Sequence, residues 1–134
     1  MINYPDGMAQ LVDFEGFINE NKTSFTDGDA IKEVDDEFIC WVELKRITIP
    51  QTAGQSLLME RVINKDWKYG IAVNVEHSVF DTSKRVFLKD CMVKSYMKRN
   101  QKWTDVKHEL TFFEFYNDVI KKEAIELGID GSKL

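Results

Sequence analysis

Glycine and proline are few and scattered. The two prolines, Pro5 and Pro50, and seven isolated glycines leave no Pro-rich, Ser-rich or Gly-rich linker, so 1–134 is expected to form a single α+β domain. No glycines cluster between a strand pattern and a helix pattern in the spacing that cradles a phosphate, which removes the usual nucleotide loops. Cysteine and histidine are equally scarce. Cys40 and Cys91 lie in apolar stretches and form no paired ligand spacing with His77 and His108, so we expect buried free thiols and no structural zinc site. No apolar run approaches the ~20 residues that cross a bilayer, and Met1–Gly7 lacks a basic region followed by an apolar run. The expectation is a cytoplasmic chain without membrane contact.

Catalytic arrangements are also missing. His77 continues the alternation of Val75 and Val79 and reads as a hydrogen-bonded histidine at a core edge; His108 falls in a polar connection, and neither lies in a nucleophile motif. Asp27, Gly28 and Asp29 begin like a calcium loop, but the third acidic ligand, the following glycine and the terminal glutamate are absent. The run Asp35, Asp36, Glu37 is dense, yet acid–base work needs carboxyl groups held in different environments. We therefore expect no catalytic residue, no cofactor and no metal.

What the chain does have is apolar mass. Nine Phe, four Tyr and three Trp are ample to close one core in 134 residues. Met8, Leu11, Val12 and Ile18 share a helical face and predict a helix near 8–21, although Val12, Phe14, Gly16 and Ile18 also alternate as in a strand. Ile31, Val34 and Phe38 then suggest a short acidic helix. Phe38–Ile49 is β-branched and aromatic and predicts a strand near 38–49. Thr52 and Gln55 match a capping box that opens a helix near 53–64. Alternation from Tyr69 to Val79 predicts a long strand near 68–80, returning as an antiparallel hairpin through a strand near 84–89. Val93, Tyr96 and Met97 fall at helical spacing and predict a basic amphipathic helix near 91–101, and a second capping box, Thr111 with Glu114, opens a helix near 111–127 that Gly128 ends. The fold expected is α+β, a small, mostly antiparallel sheet packed against these helices.

Charge is unevenly distributed. Residues 1–37 hold ten acidic and two basic side chains, whereas Lys84–Lys107 holds eight basic residues against Asp90 and Asp105. Two binding readings follow. Asp29, Glu33, Asp35, Asp36 and Glu37, with Trp41 beside them, are what a binder of basic protein surfaces uses for fast, specific association. That reading expects a non-catalytic protein-binding protein or inhibitor, in the manner of toxin-neutralising immunity proteins or phage-encoded inhibitors, docking on a basic partner. The alternative is a nucleic-acid or phospholigand accessory protein gripping phosphates with Lys94, Lys98 and Lys102 and stacking on Trp103.

Overall fold

The computed structural model of the chain describes residues 2–3, 9–17, 30–47 and 53–134. Its elements in chain order are strands β1 (Ile2–Asn3), β2 (Ala9–Gln10), β3 (Val12–Asp13), β4 (Ile31–Val34) and β5 (Phe38–Arg46), then helix α1 (Ala53–Ile63). Strands β6 (Tyr69–His77), β7 (Val86–Phe87), β8 (Met92–Lys98) and β9 (Thr104–Asp105) follow, and helix α2 (112–126) closes the chain. Five strands make the main sheet in the order β4-β5-β6-β8-β9. Its central pair, β5 and β6, is parallel from Phe38↔Tyr69 to Arg46↔His77, while the other pairings are antiparallel. A parallel pair needs a crossover, and α1 supplies it.

Alternation along the strands sorts two cores. Phe38, Cys40 and Val42 of β5 and Ile71, Val73 and Val75 of β6 pack on one face against Phe112, Phe115, Tyr116, Ile120 and Ala124 of α2. On the other face Ile39, Ala72 and Met97 meet Met59 and Ile63 of α1. The sheet is thus covered by one helix on each side, as a parallel pair requires.

Helix α2 begins as foreseen. Thr111 Oγ1 accepts from Glu114 N at 3.2 Å and Glu114 Oε1 accepts from Thr111 N at 3.2 Å, a reciprocal capping box. Gly128, at φ +95, ends it in the left-handed region. Between Phe112–Phe115 and Lys121–Glu126 the helix widens into a π turn, Tyr116–Ile120. Side chains four apart drift by about 40° per step around an α-helix. The wider turn takes some of that drift back, so Phe112, Tyr116, Ile120 and Ala124 all stay buried.

Four expectations need correction. The helix near 8–21 is not formed where the chain is described: β2 and β3 occupy it, and Gly16 turns the chain at φ +91. The short acidic helix is instead β4 and a tight turn, because Asp35 and Asp36 adopt left-handed φ values of 52 and 57 that no α-helix contains. The expected hairpin of 68–80 with 84–89 is absent; β7 pairs in parallel with β3, and β6 pairs with β8. Most instructive is 91–101, which is strand β8 and not a helix. Its register shifts opposite Asn74 and Val75, leaving Lys94 as an extra residue, so Val93 and Tyr96, three apart, pack on the α2 face while Met97 packs on the α1 face. The bulge thus gives a strand the i, i+3 spacing of a helix. Burying Val93 and Met97 is worth roughly 1.5–3 kcal/mol each, more than intrinsic propensity can contest.

The capping box yields a stability test. Thr111→Ala should lower unfolding free energy by about 1 kcal/mol in urea titration with an unchanged m-value.

Candidate functional site

Where β4 turns into β5, the carboxylates converge. Glu37 N donates to Val34 O at 2.9 Å, closing a turn whose two central residues, Asp35 and Asp36, are both left-handed, the geometry of a type I′ hairpin turn. Asn-Gly and Asp-Gly are the favoured pairs there, so Asp35 suits its position, and Asp36 at the second costs on the order of 1 kcal/mol relative to glycine. The main-chain oxygen of Glu37 accepts from Lys68 N at 2.8 Å and Tyr69 N at 3.0 Å, which moors the turn to the start of β6.

The tip is only partly neutralised. Lys133 Nζ donates to Asp35 Oδ2, and Lys68 Nζ stands 3.7 Å from Glu37, but these pairs are exposed and bind weakly. Glu33 and Asp36 are exposed and lie close together. Desolvation, a hydrogen bond with Asp36 and the Asp36 charge together raise the carboxyl of Glu33 above its ordinary range. Electrostatic repulsion is therefore held at the tip.

Directly inside it lies a buried lysine. Lys32 is 3% exposed; its Nζ donates to the main-chain oxygen of Leu134 at 2.8 Å and stands 5.5 Å from the centre of the Tyr116 ring. Tyr116 Oη donates to the same oxygen at 2.8 Å. One acceptor thus ties β4, α2 and residue 134 together. Burial, partly offset by Cys40 and reinforced by the charge of Lys121, lowers the Lys32 ammonium from 10.5 to about 8.

Beside the tip a cleft of about 370 Å³ opens between the start of β6, the end of β8 and the last turn of α2. Glu123 is its centre, accepting from Tyr69 Oη at 2.9 Å and Lys98 Nζ at 2.7 Å. Burial, and then the Glu123 carboxylate, drive the Tyr69 phenol strongly upward, so it acts as a donor and not as a base. Lys68, Arg99, Gln101 and Glu126 also line it.

The structure brings Glu33, Asp35, Asp36 and Glu37 together; Asp29 lies outside the described residues. Trp41 is elsewhere. It packs with Ile31 and Val62 on the α1 side of the sheet, its indole N–H buried without an acceptor. The basic residues are separated. Lys94 stands 3.9 Å from Glu76, Lys98 is bonded to Glu123, and Lys102 is exposed in the β8–β9 connection. Trp103 is half-buried against the α1-side core and donates to Glu60 Oε1 at 2.9 Å. Early acids also meet later bases directly, Asp13 with Arg85 at 3.5 Å and Glu15 with Lys89 at 3.1 Å. Glu123 and Lys68 were not singled out from the sequence, and Arg99 only as a neighbour of the basic stripe, because their convergence depends on contacts tens of residues apart that no local pattern carries.

Elsewhere the reactive side chains are quiet. Both cysteines are free and buried, and burial pushes the Cys91 thiol up to about 12 and Cys40 higher still, which withholds the nucleophilic thiolate. His77 Nδ1 accepts from Val79 N at 3.1 Å, and burial together with Arg46 lowers its pKa. Among the described residues no three His, Cys, Asp or Glu side chains group to hold a metal ion, and no helix is long and apolar enough to cross a membrane. Comparison with protein-family models, curated proteins and solved structures found no match.

The depressed Lys32 ammonium sets a pH dependence. The unfolded chain holds that proton up to about 10.5 and the folded chain only to about 8, so this group stabilises the fold progressively as pH rises between those values. Measured against Lys32→Met by denaturant titration, wild-type stability should climb from pH 8 to 10.5. A constant difference between the two proteins across that window would contradict the assignment.

Proposed function

We propose that this chain is a non-catalytic protein-binding protein, of the kind exemplified by small inhibitors and immunity proteins, which docks on a basic partner through the β4–β5 tip. The observation that carries the reading is the pair of aspartates at the apex. Asp36 occupies a left-handed position where Gly would be more stable, and Glu33, Asp35 and Glu37 are exposed beside it. Some backbone ease is given up to keep negative charge at the exposed turn of the hairpin. A lysine or arginine from a partner relieves that repulsion, so association gains what the free protein lacks. The net charge of -5 adds long-range attraction toward a basic surface.

The active elements are Glu33 and Asp36, with Asp35 and Glu37 held in place by Lys133 and Lys68. Trp41 supports the sheet beneath them and makes no part of the tip. No observation favours the phosphate-gripping alternative, since Lys94, Lys98 and Lys102 do not line up and the Trp103 indole is already engaged with Glu60.

The test is carbodiimide coupling, which joins carboxylates to partner amines on contact, followed by capture from the native lysate. Wild type should couple one protein through the peptide carrying 33–37; Glu33→Lys with Asp36→Lys should lose it, while Lys65→Glu with Lys102→Glu should retain it. Coupling that survives the first pair of substitutions overturns the reading. Asp36→Gly is a second check: stability should rise by up to about 1 kcal/mol as the left-handed strain is relieved, and coupling should fall.

A further inference from the structure

The far end of the sheet, at the carboxyl ends of β5 and β6, has the opposite character. A cavity of about 300 Å³ opens there, and its walls include Ile47, Val79, Val86, Phe87 and Met92. It is built by long-range hydrogen bonds. Ile47 N donates to His77 O at 2.9 Å and Val86 N to Leu11 O at 2.9 Å. Gln10, 1% exposed, directs its side-chain amide at the main-chain oxygens of Val79, Asp81 and Lys84 at 3.3, 3.1 and 2.9 Å, fixing the loop that forms one wall.

Two large apolar side chains of its lining are exposed to solvent, Ile47 at 52% and Phe87 at 37%. Scattered exposed apolar residues are ordinary, but two that open into one mainly apolar cavity mark a candidate binding site. Of the charged side chains that line it, Arg85 faces Asp13 and Lys94 faces Glu76, and Asp90 is exposed to solvent. Arg46 lies over the Phe80 ring at 5.6 Å. His77 and Cys91, which also line it, are both in protein hydrogen bonds, to Val79 N and to Phe87 O.

We infer that this cavity binds a small, uncharged, ring-sized apolar molecule, at a site separate from the acidic tip and at the opposite end of β5. Location supports the inference as well as lining, since ligands of open sheets with parallel strands settle outside the carboxyl ends of those strands. The charged lining holds two acids and two bases, Glu76, Asp90, Arg85 and Lys94, and so favours neither sign of ligand. Apolar burial is what the site provides, and its volume lies at the lower end of small-molecule sites.

Indole is a suitable probe, followed by methyl-detected NMR on the intact chain, with indole-3-acetate and tryptamine as its anionic and cationic counterparts. Indole should give saturable shifts at Ile47, Val79, Val86 and Met92 in the millimolar range usual for so small a molecule, and its counterparts should bind within about threefold of it. Phe87→Asp should weaken indole by about tenfold or more, and Leu58→Asp, at an exposed apolar residue of α1, should leave it unchanged. Folding of both variants is verified by their far-ultraviolet circular dichroism. The inference is overturned by non-saturable or dispersed shifts, by a charged counterpart binding tenfold tighter than indole, or by equal losses in the two variants.

Discussion

Everything in this molecule is arranged around two neighbouring strands running the same way. The parallel pairing of β5 with β6 cannot be made by a hairpin, so the chain must cross over the sheet, and the crossing helix α1 covers one face. The opposite face then exposes Phe38, Val42, Ile71 and Val73 and must be covered too, which is the task of α2. Having both faces closed by helices leaves the two ends of the pair as the accessible places. One end carries the acidic turn and the Glu123 cleft; the other carries the apolar cavity.

The C-terminal residues finish this construction. Leu134 is buried, and its main-chain oxygen receives both the Lys32 ammonium and the Tyr116 hydroxyl. A buried ammonium is costly to desolvate, and a charge-assisted hydrogen bond with an aromatic face beneath it offsets part of that cost. Edge strand β4 is thereby joined to α2 directly, across the sheet face, and the hairpin that displays the tip gains a rigid base. The π turn serves the same end, since it keeps Tyr116 pointed into the core, where its hydroxyl reaches residue 134.

Much of the architecture was legible in the sequence, and its failures have physical causes. The α+β class, β5, β6, α1 and α2 follow from periodicity, β-branched content and the Thr111–Glu114 capping box, all of which are local signals; the box expected at Thr52 lies outside the described residues. Strand β8 was misread because the bulge at Lys94 puts Val93 and Tyr96, three apart, on one face; the same bulge places Lys94 and Lys98 against acids on different sides of the sheet, so the basic stripe disappears with the helix. β4 was misread because Ile31 and Val34 are three apart, while Lys32, a residue usually counted as exposed, is buried on the same face as Val34. Asp35, Asp36 and Glu37 were recognisable as a cluster, yet nothing local disclosed their left-handed turn or their ties to Lys133 and Lys68.

The central claim is that the parallel pair and β8 form the most stable part of the molecule, with both functional ends hung from it. Native-state amide hydrogen exchange tests this most directly. The slowest amides should lie in β5, β6 and β8, exchanging only on global unfolding, with those of 35–37 and 99–103 many orders faster. If α2 alone were slowest and β6 exchanged through local opening, the sheet would not be the framework, and the account would fail.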